Sequence, residues 1–228
     1  VLSFSLSTLP RNVTGAFLDG ATLVAQTEGV RRQVLPRSEL RLRGQHNVAN
    51  AAAAIATTMA AGASIEAMYQ ALSTFQGVEH RLEVVGSHAG VTYINDSIAT
   101  APDRLIAGLQ ALESPVILVA GGRDKHLPWD DAASLICERV RGVVTVGEAA
   151  SLIEAAIQKA GDGGTAPPLV RAEDMRQAVR EATQLALPGD IVLLSPGCTS
   201  FDRYRDYEER GHDFKAVVMS MFQPEVAL

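Results

Sequence analysis

The 228-residue chain has only two cysteines, Cys137 and Cys198, so no disulfide framework can be read from it, and two thiols fit a reducing, cytoplasmic setting. It has no basic surplus. Lys and Arg number 20 against 26 Asp and Glu, and the resulting formal charge of -6 argues against a nucleic-acid partner, whose phosphates demand clustered cations. No apolar run approaches the ~20 residues of a bilayer crossing. The longest, 48–62, is mostly alanine and contains Asn50 and two threonines, which suits a close-packed helix rather than a membrane span. The basic and apolar segments of a secretory signal are missing too. No Gly-x-x-Gly-Lys-[Ser/Thr] phosphate loop occurs, and no strand is followed by Gly-x-Gly-x-x-Gly, which sets a dehydrogenase aside. His46, His88, His126 and His212 stand singly, so a metal centre built from this chain alone is not expected. The chain opens on Val1-Leu2-Ser3-Phe4-Ser5, without Met and inside a strand-like run, as a piece of a longer polypeptide would.

What is present divides by its periodicity. Residues 1–43 alternate in short β-like runs, 16–18, 21–26 and 30–35, broken by Asp19-Gly20 and Glu28-Gly29, which read as hairpin turns. A helix pair follows: an alanine-rich helix over 47–61 stopped by Gly62, and a second from Ser64 to Phe75. Beyond a junction at 77–81 the pattern becomes strand, helix, strand. Strands are predicted at 82–85, 91–94, 116–120, 143–146, 169–170 and 191–194. Helices are predicted at 102–112, 132–140, 149–160, 175–187 and 211–222, with 161–165 as a surface loop. Such alternation predicts an α/β fold with right-handed βαβ units and a parallel, Rossmann-like sheet. The expected domains are 1–78 and 79–228.

In such a sheet ligands bind where the strands end. Three strand-end clusters carry hydroxyls, glycines or charge: Asn95 to Thr100, ahead of a helix opened by Pro102; Gly121 to Lys125; and Ser195 to Asp202. His80-Arg81 sits at the junction. Each has a plainer reading. Asp96-Ser97 serves equally as a helix cap, Gly121-Gly122 as a tight turn, Lys125 as a solvated lysine, His80-Arg81 as a hinge pair, and Asn47 and Asn50 as caps of the alanine helix. Cys198 has no neighbouring base and reads as a small filler.

The order of the clusters separates these readings. Gly44 to Ala51, Phe75 to Glu83, Asn95 to Thr100, Gly121 to Lys125, the serine loop with Phe201-Asp202, and Glu209-Arg210-Gly211 together resemble the Mur ligase family, over 40–220 almost continuously. Within it the serine loop is most similar to that of the branch that adds D-glutamate. The resemblance implies an ATP-dependent ligase of peptidoglycan precursor synthesis, monomeric and cytoplasmic when full-length, that joins D-glutamate to UDP-N-acetylmuramoyl-L-alanine through an acyl phosphate. It also implies that 1–78 is the end of a central ATPase domain and 79–228 the amino-acid-binding domain.

Carried over by position, Asn47 and Asn50 resemble contacts to the adenine of ATP, Arg81 a contact to its phosphates, and Asp96 one near the ribose. Lys125 and Thr100 correspond to groups that hold the α-carboxylate of D-glutamate. Ser200, Phe201 and Tyr207 correspond to the region of its side-chain carboxylate, and Arg81 and Lys125 are the implied catalytic pair. The chain departs from the pattern at Ile98, where a lysine is usual, at Tyr207 in place of phenylalanine, and at Thr199 in place of alanine. The Mg²⁺ ligands and phosphate loop of the family are not in this sequence, so the chain is expected to be inactive alone. Other members of the superfamily, such as folylpolyglutamate synthetases, and a non-catalytic Rossmann-like binding module are the alternative readings.

Overall fold

In the computed structural model residues 1–42, 44–161, 164 and 166–222 are described. Positions 162, 163 and 165 of the expected surface loop lie outside the described residues. The chain folds as two compact units, Val1–Gly77 and Val78–Leu228.

The first unit holds strands β1 (Ser3–Ser5), β2 (Gly15–Asp19), β3 (Thr22–Thr27) and β4 (Val30–Pro36), paired in that order. β1 runs parallel to β2, and β2, β3 and β4 form an antiparallel meander. Glu28 and Gly29 both take positive φ, 50° and 79°, the backbone that a tight hairpin between right-twisted strands requires. Helices α1 (Gln45–Ala60) and α2 (Ile65–Thr74) bury Ile55 and Met68 against Leu23 and Leu35 of the sheet. Gly62 ends α1 in the left-handed region at φ 85°, and the Ser64 hydroxyl caps α2 by accepting from the Ala67 N–H at 3.1 Å.

The second unit is a six-stranded sheet. Its strands are β5 (Glu83–His88), β6 (Val91–Asn95), β7 (Val116–Gly121), β8 (Val140–Val146), β9 (Leu169–Ala172) and β10 (Ile191–Gly197), in the spatial order β5-β6-β10-β7-β8-β9. Five run parallel, and β5 pairs antiparallel with β6. The connection through Ala89 and Gly90, both at positive φ, is too short for a crossover and permits only a hairpin. The helices are α3 (Pro102–Gln110), α4 (Asp130–Arg139), α5 (Ala150–Ala160), α6 (Met175–Leu185) and α7 (Tyr207–Phe222).

Both faces of the sheet are covered, so its central strands are apolar without alternation. Leu118 and Leu193 meet Leu105, Ile136 and Ile153 of α3, α4 and α5 on one side. Their neighbours Ile117 and Val192 point the other way, onto Val179 of α6 and Phe214 of α7. β10 is thus flanked by two strands whose following helices lie on one face, while its own helix lies on the other. By the strand-end rule, this reversal makes the carboxyl end of β10 the expected ligand crevice.

α7 begins at Tyr207, four residues earlier than the pattern predicts. Asp206 accepts from the Glu209 N–H at 2.8 Å, and Glu209 accepts in return from the Arg205 N–H at 2.6 Å, a reciprocal cap that starts the helix ahead of its apolar residues. This earlier start puts Arg210 inside the helix. Among the described residues no helix is long and apolar enough to cross a membrane.

Leu193 is fully buried in the central strand. Leu193→Ala is expected to lower the unfolding free energy by about 2–5 kcal/mol, measured by urea titration. A loss of only a few tenths would contradict the placement of β10 at the centre of the sheet.

Candidate functional site

The crevice is walled by three loops, one from each strand tip. After β6 the chain turns through Asp96 to Thr100; after β7 it runs from Gly122 to Lys125; after β10 it passes Cys198 to Ser200. The last two are zipped together. The Arg123 N–H donates to the Thr199 carbonyl at 2.9 Å, and the Thr199 N–H returns a bond to the Arg123 carbonyl at 3.0 Å, which also accepts from the Thr199 hydroxyl. Gly122 makes this approach possible. A Cβ there would lie 2.1 Å from the Thr199 carbonyl oxygen, and its φ of 125° excludes other residues without strain.

Two residues beyond the bridge, the Lys125 ammonium donates to the Thr100 hydroxyl at 3.1 Å. Lys125, exposed, and Thr100, half-buried, therefore share one place although 25 residues separate them. Ser200, buried, and Phe201, exposed, lie on the same bridged loop, next to Thr199. An ammonium beside a hydroxyl is suited to hold a carboxylate.

Beneath the loops lies Arg210, a residue without an expected role in the sequence reading, on the first turn of α7 and 3% exposed. Its Nε donates to the Ser97 hydroxyl at 3.0 Å, its Nη2 to the carbonyls of Ser97 and Cys198 at 2.9 and 3.1 Å, and its Nη1 to the Gly121 carbonyl at 3.4 Å. One guanidinium thus binds all three tips. Burial lowers its pKa to about 10, a shift opposed by the field of Asp202, so it remains a cation at neutral pH. Cys198 is fully buried, and burial pushes its thiol up to about 12, which makes it inert.

Asp96 is buried below its loop rather than presented on it. Its Oδ1 accepts from the Leu82 N–H at 3.2 Å and its Oδ2 from the Ser195 hydroxyl at 2.9 Å. It neither caps α3, whose N-cap is Ala101, nor leaves an oxygen unused. It braces instead the turn that carries Arg81, which is exposed. His80 is buried with φ 64°. Asn95, whose Oδ1 is held by the Ser97 N–H, turns its amide NH₂ to His80 Nδ1 at 2.9 Å.

Tyr207 stands edge-on to His80, with ring centroids 6.0 Å apart, and its carbonyl accepts from the Ser97 hydroxyl at 2.7 Å. Its own hydroxyl bonds Glu208. It is therefore tied to the β6 side of the crevice, and its ring is turned to His80 rather than to the Lys125–Thr100 pair. Asn47 and Asn50 lie one helical turn apart near the start of α1, in the first unit, where the Asn50 amide donates to Asn47 Oδ1 at 3.4 Å. The helix opens at Gly44, so neither asparagine caps it.

Glu79, His80 and His212 bring ligand-type atoms within 4.8 Å of one another. Asn95 donates to His80 Nδ1 and so places the ring proton on Nε2, the atom that faces Glu79, while Glu79 is bonded to Lys215 at 2.8 Å. Glu79 is thus already engaged by Lys215 and by His212 Nε2 at 3.2 Å, while His80 Nε2 stands 3.9 Å from it, beyond hydrogen-bond distance.

Residues 80–198 match the family described as the glutamate ligase domain of Mur ligases. Two relatives named UDP-N-acetylmuramoylalanine--D-glutamate ligase, from Symbiobacterium thermophilum and Desulfitobacterium hafniense, are both 42% identical to this chain, over 221 and 212 residues. These alignments take in 97% and 93% of this chain but 48% and 46% of the relatives, so the chain spans about half the length of the curated relatives it matches. Among solved structures, a Mycobacterium tuberculosis folylpolyglutamate synthase complexed with ADP superposes with a TM-score of 0.62 at 18% identity, over 86% of this chain and 44% of that one. UDP-N-acetylmuramate-alanine ligase MurC from Thermotoga maritima gives 0.59 at 18% identity, over 88% and 44%. At these identities the likeness is one of fold.

The Asp96 carboxyl has a consequence for stability. Burial, working against the two donated hydrogen bonds, raises its pKa from 3.8 to about 6. The folded state then holds a proton that the unfolded chain has released, so this contribution is full below pH ~4 and is lost as pH rises toward ~6. Relative to Asp96→Asn, the native protein is expected to lose on the order of 3 kcal/mol across that window and nothing further above it. Urea titrations of both proteins at pH 4, 5, 6 and 7 check this; parallel pH profiles would refute it.

Proposed function

The chain belongs to the Mur ligase family, and from that premise we propose that its second unit receives D-glutamate for an ATP-dependent ligase acting on UDP-N-acetylmuramoyl-L-alanine in peptidoglycan precursor synthesis. The single observation that carries this reading is the Lys125–Thr100 pair, set beside the Ser200 loop by the Arg123–Thr199 bridge. The names of the relatives and their 42% identity over nearly the whole chain support D-glutamate as the amino acid.

Lys125 and Thr100 hold the α-carboxylate, and Ser200 with Phe201 lines the end where the side-chain carboxylate sits. Tyr207 borders that end from the β6 side, against His80. A dianion held at both carboxylates has little freedom left, so its amine is oriented toward the activated carbonyl of its co-substrate. That amine forms the amide bond as the acyl phosphate releases phosphate. ATP supplies the phosphoryl group. In the second unit Arg81 is the proposed contact to its phosphates, and Asp96 serves by holding the Arg81 turn; in the first unit, taken by itself, Asn47 and Asn50 are the proposed contacts to adenine.

Mg²⁺ in such chemistry neutralises phosphate charge, but this chain's cup does not fit it. Asp96 spends both oxygens within the fold, and no other group of ion-binding side chains than Glu79, His80 and His212 converges among the described residues. The chain's own contribution is binding and orientation.

The alternative reading, a folylpolyglutamate synthetase-like member of the superfamily, would take L-glutamate instead, and the shared fold leaves both readings open. Calorimetric titration of the chain with both enantiomers separates the two. Saturable binding of D-glutamate, weakened ~10-fold or more by Lys125→Ala, is expected from loss of one charge-assisted contact. Binding of L-glutamate alone, or of neither enantiomer, would refute the proposed substrate.

A further inference from the structure

Arg210 is buried, cationic and bonded to no carboxylate; its guanidinium instead meets a serine hydroxyl and three carbonyl oxygens, each from a different strand-end loop. A solvated residue would suffice to hold one loop. A five-donor planar fork is what joins three, because its donors diverge in fixed directions. The carbonyl it binds at Cys198 immediately precedes the Arg123–Thr199 bridge, and the one at Gly121 immediately precedes Gly122. Ser97, bound through both hydroxyl and carbonyl, lies three residues before Thr100. Gly211 allows this seat: a Cβ there would come within 2.2 Å of His80 Nδ1 and lift α7 away from the loops.

We propose that Arg210 is the positioning residue of the amino-acid cup: by clasping the Ser97, Gly121 and Cys198 carbonyl segments it fixes the distance between Thr100, Lys125 and Ser200, and its buried charge favours a dianionic ligand. The ligand half of this statement rests on the D-glutamate reading; the clasp itself does not. Arg210 touches no substrate and acts through the loops it joins.

Two measurements on the chain separate the halves. Amide hydrogen exchange in Arg210→Lys is expected to speed up by about tenfold or more at Arg123 and Thr199, whose N–H groups make the bridge, with Leu118 in the core unchanged. A lysine retains the charge but cannot span three loops. In the same variant the dissociation constant for D-glutamate is expected to rise about tenfold or more, as fits the loss of a preorganised site. Exchange at Arg123 and Thr199 equal to the native rate would overturn the clasp, whatever the ligand does. Faster exchange with unchanged D-glutamate affinity would overturn its role in binding. If native protein binds no D-glutamate, the substrate reading and the binding half fail together, while the exchange result still decides the clasp. Should Arg210→Lys not fold, Ser97→Ala, which removes the Nε acceptor together with the Ser97 hydroxyl's bond to the Tyr207 carbonyl, must show the same exchange change in smaller degree, and its absence would count equally against the proposal.

Discussion

A cation taken out of water is held here by hydrogen bonds to a hydroxyl and three carbonyl oxygens, with the field of Asp202 helping to keep it charged, and the geometry of the three loops follows from those bonds. Each carbonyl that Arg210 binds lies at or just beyond the carboxyl end of a different strand, β6, β7 or β10. The desolvation that lowers its pKa to about 10 is the cost, and the pinning of three segments is the return. A carboxylate partner would satisfy the charge locally and leave the loops independent. Hydroxyl and carbonyl partners make the same charge a joint between β6, β7 and β10, where the helix after β10 lies on the face opposite to those after β6 and β7.

Around that joint, the residues of the second unit fall into two sorts. Asp96, Asn95, His80 and Ser195 have their bonding capacity absorbed by the fold, and they brace the β6 tip and the turn carrying Arg81. Lys125 and Phe201 reach solvent, with Thr100 half-exposed between them. The buried set gives rigidity and the exposed set gives chemistry. Asp96 shows how readily the two are confused: its residue type and place after a strand suit a ligand contact, yet both oxygens face inward.

The architecture of the second unit was legible because each strand is a short apolar run and each helix has its own stop, so alternation alone announces a parallel sheet. The order of strands was not, since nothing in 191–197 distinguishes a central inserted strand from an edge one beyond the unbroken apolar run of 191–194. The hairpin of β5 and β6 could have been read from Ala89-Gly90 and the brevity of the link. The convergence of Thr100 with Lys125 follows from the strand-end rule. Arg210 escaped because it sits in a charged run that looks like a solvated helix face; the signal that could have found it is Asp206-x-x-Glu209, which starts the helix early enough to turn Arg210 inward.

The place of β10 also bears on how the molecule comes into being. On a ribosome β6 and β7 emerge well before their shared neighbour, so the nascent sheet is split by an unfilled slot until residues 191–197 arrive. Apolar edges stay open through that interval, and pairing across nearly a hundred residues is slow to close. Insertion of β10 and the joining of the three strand-end loops around Arg210 then fall together late, because the β6 and β7 tips have no shared neighbour until residues 191–197 arrive.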